Sequence, residues 1–303
     1  MSTEAPPGTP RPEREPARPP VGAVVVLYHP PDAAVGNVTA LLTQCSRVVV
    51  VPNSPPGPVE AALREAGCAV LAYEGNGGTA TGFNRGIRAV LDGPEEYVLL
   101  LDQDSRAPTG MAAALVAASR AGRAAGLPVA AVAPLLEETK NAGRPVDHPP
   151  DSDRLTPVET LVSSGTLVHR DVLAAVGLMD ERLFIDGVDH EWCLRAAARG
   201  LRSYVAADTR LLHDMGDQLV PIGGRRRLLH TNPVRHYYIV RNSLLLLRRP
   251  YLPRRWRRQQ FARALRRLVF YAVYSEDRAR SLRYMARAVA DAARNRTGVL
   301  DGR

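Results

Sequence analysis

Tyr97-Val-Leu-Leu-Leu-Asp-Gln-Asp-Ser105 is a continuous apolar run that ends in two aspartates. A run with no polar alternation suits a strand covered on both faces, as parallel strands in α/β proteins are. Asp102 and Asp104 leave this strand at its carboxyl end, where open α/β sheets bind their ligands. Two carboxylates on an irregular segment can put one on a hard divalent cation and the other on its water shell or on a ribose hydroxyl. The plainer reading is an Asp-rich turn that caps a helix starting near Pro108. The pair alone does not decide between them.

Toward the N-terminus the same pattern repeats. Ala23–Tyr28, Arg47–Val51 and Cys68–Tyr73 are further apolar runs, separated by helical stretches over 33–44 and 59–66. Asn76-Gly-Gly78 follows, then a helix over 79–91 that carries Asn84 and Gly86. Strand and helix alternating at this period predict a mainly parallel, three-layer α/β sheet. Glycines between strand and helix let a phosphate or sugar approach a helix N-terminus, although here they do not have the Gly-x-Gly-x-x-Gly spacing of a dinucleotide fold. Residues 1–20 carry seven prolines among small and charged residues, a composition that cannot bury a core and predicts a disordered tail.

Toward the C-terminus an Ala-rich helix runs to Gly126, followed by a strand over Val129–Ala133 and a polar loop over 136–156. Thr160–Val168 returns to strand, broken by Ser163-Ser-Gly165, and a short helix over Arg170–Val176 follows. Next comes Phe184-Ile-Asp-Gly-Val-Asp-His-Glu-Trp-Cys-Leu-Arg195, with Asp186, Asp189 and Glu191 at the start of a helix that Gly200 stops. Acids in a first turn are stabilised as anions and can take a proton at neutral pH; capping is the bland alternative. Ser203–Ala206 and Leu211–His213 read as two short strands, and His213 as a candidate metal ligand or a merely packed histidine. Gly223–Arg227 reads as a flexible basic segment, and His236–Asn242 opens a helix. From Arg248 to Arg267 there are nine arginines and no acids. Trp256 lies among them, and Phe261, Leu265, Leu268, Val269 and Ala272 fall at helical spacing, giving a basic amphipathic helix. It either packs on the core or meets anionic lipid. A last helix covers 278–294.

The 303 residues are 45% apolar and 23% charged, ordinary values for a soluble globular chain. A net charge of +9 and a pI near 9.9 imply an anionic partner. Aromatic residues, at 5%, are not interleaved with basic ones as base-stacking surfaces require, which argues against nucleic acid. Cys45, Cys68 and Cys193 have no metal-ligand spacing and leave one unpaired, pointing to a reducing compartment. No run is long enough to span a membrane and no signal-peptide core is present. The expected location is the cytoplasm, with peripheral contact at the inner face of the cell membrane.

Asp102-Gln-Asp104-Ser105, Asn76-Gly-Gly with Asn84 and Gly86, Ser164-Gly165-Thr166, the 184–195 stretch, His213 with Gly216-Asp217, and Tyr237-Tyr238 with Arg241-Asn242 occur in a telling order and spacing. Together they resemble the family 2 glycosyltransferases, in the bacterial rhamnosyltransferase branch that acts on polysaccharide intermediates. The resemblance covers about residues 21–247 and leaves 248–303 as a basic helical extension. It implies a GT-A fold, a nucleotide-sugar donor of the dTDP-L-rhamnose kind, Mg²⁺ or Mn²⁺, inversion at the anomeric carbon, and a lipid-linked or polysaccharide acceptor. By the same resemblance Asp104 holds the metal, with His213 as a further ligand. Asp102, Asn53, Asn76, Gly77, Asn84 and Arg241 serve the donor. Asp189 is the catalytic base, Glu191 a second acid that helps hold the acceptor, and Asp186 a rival for either role. One departure stands out: the family's Asp-Asn after the second strand, whose Asp helps bind the base, is Pro52-Asn53 here. Proline offers neither a carboxylate nor an N–H. The alternative function is a basic nucleic-acid or membrane-binding protein on a degenerate transferase fold.

Overall fold

The structure, a computed structural model, describes residues 20–138, 155–213, 218–222 and 225–300. Strand β1 (Val21–Leu27) is buried along its whole length and lies parallel to β2 (Arg47–Pro52) on one side. A short β3 (Ala69–Val70) extends that edge, and β4 (Tyr97–Asp102) flanks β1 on the other side, also parallel. With β5 (Val129–Glu138), β6 (Thr156–Val158), β7 (Thr166–His169) and β8 (Arg202–His213) they form one eight-stranded sheet in the order β3-β2-β1-β4-β7-β5-β8-β6. Four of its seven pairings are parallel.

The alternation of a strand sends its residues to opposite faces. Ala23, Val25 and Leu27 pack with Val38 of α1 (Ala33–Thr39), Leu63 of α2 (Pro58–Glu65) and Leu115 of α4 (Met111–Ala124). Val24 and Val26 pack instead with Phe83 and Ile87 of α3 (Gly78–Leu91), Val172 of α5 (Arg170–Val176) and Trp192 of α6 (Val188–Ala197). These are the three layers of the α/β domain.

A hairpin of β9 (Gln218–Ile222) and β10 (Arg225–Leu229) stands apart from the sheet. Helix α7 (Pro233–Leu246), capped by the Asn232 side chain, forms a third core with α8 (Arg254–Tyr274) and α9 (Arg278–Ala293) around Tyr237, Val240, Tyr271, Met285 and Ala288. No helix among the described residues is long and apolar enough to cross a membrane.

Several local expectations need correction. The third strand shrinks from Cys68–Tyr73 to two edge residues, because the chain turns off toward Gly75–Gly77. The run Thr160–Val168 is strand only from Thr166, and it is antiparallel to both neighbours. Gly165, at φ +82°, breaks the run there, and its N–H bonds to Leu100 O. The two short strands at 203–206 and 211–213 are one: β8 carries on through the polar Ala207-Asp-Thr209 by slipping its register opposite Pro134 and Leu135. Of the basic segment, 225–227 belongs to strand β10. On α8 the inward face is Trp256, Ala264 and Tyr271, while Phe261, Leu265 and Val269 are exposed, so Trp256 is not available to a membrane. The Pro-rich tail before residue 20, most of the 136–156 loop and Gly216-Asp217 lie outside the described residues.

Candidate active site

Strands β1, β2 and β4 end side by side, with Leu27 opposite Pro52 and Val26 opposite Asp102. Between the two aspartates, the Gln103 side chain accepts from Tyr28 N at 2.8 Å and donates to Tyr28 O at 3.1 Å. Asn37 Nδ2 donates to Gln103 O at 3.1 Å, Ser105 and Ser164 share a hydroxyl hydrogen bond, and Arg106 N donates to Leu212 O at 3.1 Å. The segment bearing Asp102 and Asp104 is thus clamped from both sides. The last contact brings the backbone end of β8, where His213 sits, next to it; the His213 side chain lies outside the described residues. Asp104 Oδ1 is hidden from solvent. Among the described residues no three His, Cys, Asp or Glu side chains converge. Two carboxylates still fit Mg²⁺ or Mn²⁺, hard ions that take one or two carboxylates and complete their shell with water and substrate phosphate. The cysteines offer no rival site, since burial pushes the Cys45 and Cys193 thiols up to about 12 and about 11.

The start of α3 meets both this edge and the acidic stretch. Asn53 Oδ1 accepts from Gly77 N at 3.1 Å and Asn76 Oδ1 from Gly78 N at 3.0 Å. Gly78 has φ +81°, and a Cβ there would lie 2.4 Å from Phe184 O, so only glycine fits. Ala80 N donates to that same carbonyl at 3.2 Å. A shallow cavity of about 400 Å³ opens beside Asn76, Gly77 and Phe184. Asn84 is elsewhere. Only 1% exposed, it exchanges hydrogen bonds of 2.9 and 2.8 Å with the Met179 backbone and donates to Glu181 at 2.7 Å, fixing the loop that leads to the acids.

That acidic stretch is a tight structure. Phe184 and Asp186 have φ of 66° and 63°, and Gly187 caps α6 at 83°. Left-handed residues other than glycine cost about 1–3 kcal/mol each and need surroundings that hold them. Asn242 supplies the hold, donating through Nδ2 to Leu183 O, Ile185 O and Asp186 O at 2.8, 2.6 and 2.9 Å. Arg241, fully buried, donates to Leu183 O at 3.0 Å and Gly298 O at 2.6 Å, and its guanidinium lies 4.9 Å over the Tyr238 ring. It therefore braces the loop, with donors spent on backbone carbonyls.

The three acids have different partners. Asp186 pairs with Arg235 at 3.0 Å. Glu191 is 2% exposed; Arg195 grips both its oxygens at 2.9 Å and Tyr251 donates to Oε1, while Arg195 also donates to Val176 O and Leu178 O. So placed, Glu191 ties α6 to the end of α5. Asp189, half-buried in the first turn, accepts from His190 N at 2.8 Å, and among the described residues no cation pairs with it. Just upstream, burial works to raise the Asp180 pKa, but its hydrogen bond to Arg182 and the charge of Arg249 outweigh that and lower it. Sequence reasoning missed Asn242 as the loop's clamp and Tyr251 as the partner of Glu191. A polar Asn in the buried run 236–246 was the available signal.

An Asp-x-Asp at the carboxyl edge of such a sheet is a feature of nucleotide-sugar glycosyltransferases of GT-A type, and solved structures share the fold. S. aureus TarS in complex with UDP-GlcNAc matches with a TM-score of 0.59 at 15% identity, covering 91% of this chain and 81% of that one. GalNAc-T7 with UDP, GalNAc and Mn²⁺ matches with a TM-score of 0.55 at 11% identity, covering 93% of this chain and 59% of that one. No protein-family model matches. In sequence the chain is 35% identical over 244 residues to the dTDP-rhamnosyl transferase RfbF of Shigella flexneri, covering 76% of this chain and 81% of RfbF. The chain belongs to the family 2 glycosyltransferases of GT-A fold, enzymes that use nucleotide-sugar donors.

Proposed function

We propose that the protein transfers L-rhamnose from dTDP-L-rhamnose, with inversion, to a hydroxyl of a lipid-linked or polysaccharide acceptor in building the cell envelope. The likeness to RfbF, itself named a dTDP-rhamnosyl transferase, supports the donor. Asp189 is the base in this reading. The observation that carries it is charge pairing: Asp186 is taken by Arg235 and Glu191 by Arg195, whereas among the described residues Asp189 has only a backbone N–H. Asp189 removes the acceptor proton as that oxygen attacks the anomeric carbon from the face opposite the diphosphate, help worth roughly 10²–10⁴ in rate.

Asn53, Asn76 and Gly77 present the start of α3 to the donor, and Asp102 faces its nucleotide. Asp104, with His213 as a further ligand, would hold Mg²⁺ or Mn²⁺, which when bound neutralises charge on the leaving diphosphate. Asn84, Glu191 and Arg241 act as positioning residues. The acid-free, arginine-rich α8 supports peripheral contact with an anionic membrane at its cytoplasmic face.

Titration calorimetry with dTDP, UDP and GDP, with and without Mn²⁺, tests the donor side on the wild type and Asp104→Ala. Metal-dependent dTDP binding that weakens at least about tenfold in the variant is expected. Binding of no nucleotide, or binding indifferent to both metal and variant, would overturn the reading.

A further inference from the structure

A cavity of about 830 Å³ opens beside the start of α6, between α7 and α8. Asp186, Gly187 and His190, which bracket Asp189, line one side, and Arg263, Arg266 and Arg267 line the other. Ile239, Leu246, Phe270 and Tyr271 make the wall between them largely apolar. The acid on this wall does not neutralise the arginines, because Arg235 already pairs with Asp186. Arg267 donates to Ser243 Oγ at 3.3 Å, Arg263 and Arg266 are exposed, and α8 itself holds no acidic residue. Guanidinium groups recognise phosphate oxygens in a bidentate way, so three of them on one wall suit a doubly charged phosphate group better than a single carboxylate.

The outer face of α8 adds a second feature. Phe261, Leu265, Val269 and Val273 recur every fourth residue and are 57%, 54%, 59% and 48% exposed. They form one apolar row about 18 Å long, at 1.5 Å per helical residue. Val269 belongs both to this row and to the cavity wall, so the basic cavity runs directly into the apolar row.

We propose that this cavity and row are the acceptor site, and that they take a lipid diphosphate bearing the acceptor sugar. Arg263, Arg266 and Arg267 hold the diphosphate, the sugar next to it extends past Gly187 to Asp189, and the lipid chain leaves along Phe261, Leu265, Val269 and Val273. The proposal rests on the glycosyltransferase reading and names the chemistry of its acceptor. An anionic polymer would use the arginines but not the apolar row. A generic anionic membrane surface would use α8 but not the cavity beside the base.

The test uses the full chain and its Arg263→Glu/Arg266→Glu variant, with farnesyl diphosphate, inorganic pyrophosphate and farnesol as probes, and dTDP titrated on the same samples. Farnesyl diphosphate is expected to bind at least about tenfold tighter than either fragment, to persist at saturating dTDP, and to weaken at least about tenfold in the variant. The variant should keep dTDP affinity within about twofold, which also shows that it is folded. Equal affinity for pyrophosphate and farnesyl diphosphate, displacement by dTDP, or indifference to the variant would each overturn the proposal. Loss of dTDP binding in the wild type would instead sink the donor reading, so the two failures are distinguishable. Vesicles of phosphatidylcholine with phosphatidylglycerol supply the last arm. Binding to them that the variant abolishes, without specific binding of farnesyl diphosphate, would assign the arginines to the membrane surface and overturn the proposal.

Discussion

Replacing Asn242 by Ala should loosen the segment that carries the proposed base, although Asn242 touches no carboxylate of the acidic stretch. Its amide serves three carbonyls at 2.6–2.9 Å and its oxygen accepts from Arg241 Nε at 3.0 Å. Leu183 O keeps a donor in Arg241, but Ile185 O and Asp186 O lose this one. A buried group left unpaired costs about 1–3 kcal/mol, so two give about 2–6 kcal/mol. Relaxation of Phe184 and Asp186 from their left-handed conformations offsets roughly 1–2 kcal/mol of that. A net loss of about 1–4 kcal/mol is expected in guanidinium unfolding, with a slope unchanged from wild type. Turnover should fall about 10²-fold, the cost of misplacing a reacting group by an ångström, while dTDP affinity changes much less. Asn242→Asp, of equal size but with no donors toward the carbonyls, should be at least as damaging. An Asn242→Ala variant within about 0.5 kcal/mol of wild type and equally active would refute the idea that α7 holds this loop.

Gly78→Ala places a methyl 2.4 Å from Phe184 O at φ +81°, so it should lower stability by about 1–3 kcal/mol and weaken dTDP binding; unchanged melting and unchanged binding would contradict the close contact. Glu191→Gln leaves the half-buried Arg195 against a neutral amide and should cost about 2–4 kcal/mol; a variant as stable as wild type would remove Glu191 from the framework. Stability should also fall in two steps as pH drops. Burial lowers the His236 pKa from its ordinary 6.5, and its Nε2–H donates to His230 O at 2.6 Å, so it is neutral in the fold. A depressed folded pKa means stability that is present above 6.5 and lost as pH falls through the folded value, while the unfolded chain takes up the proton first. Asp180, also depressed, repeats this below its ordinary 3.8. His236→Gln should flatten the first step in pH-dependent melting curves; an undiminished step would reassign it.

β1, β2 and β4 were legible because a strand buried on both faces shows as an unbroken apolar run, and Val21–Leu27 has no exposed residue. The antiparallel insertion of β7 was not, because four residues after a left-handed glycine carry no sign of which neighbours they pair with. On α8 the periodicity revealed an apolar row but not which row packs inward. The row through Tyr271 does, where its ring stacks on His236 at 3.7 Å between centroids. The candidate site divided in the same way. Asp102, Asp104 and the acidic stretch stood out by residue type and position. The backbone carbonyls of a tight loop, which must find donors once buried, cannot be read from sequence, and they are what occupy Asn242 and Arg241. Glu191 likewise looks like its neighbour Asp189 until its distance from Arg195 is known.

The central claim is that Asp189 takes the proton in a transfer from dTDP-L-rhamnose. Its most direct test is turnover of that donor in the presence of Mg²⁺ by the wild type and by Asp189→Asn, with dTDP affinity and melting temperature measured alongside. Transfer by the wild type is expected, with a fall of about 10²–10⁴ in kcat for the variant and nucleotide affinity and stability nearly unchanged. Wild-type turnover by Asp189→Asn would contradict it.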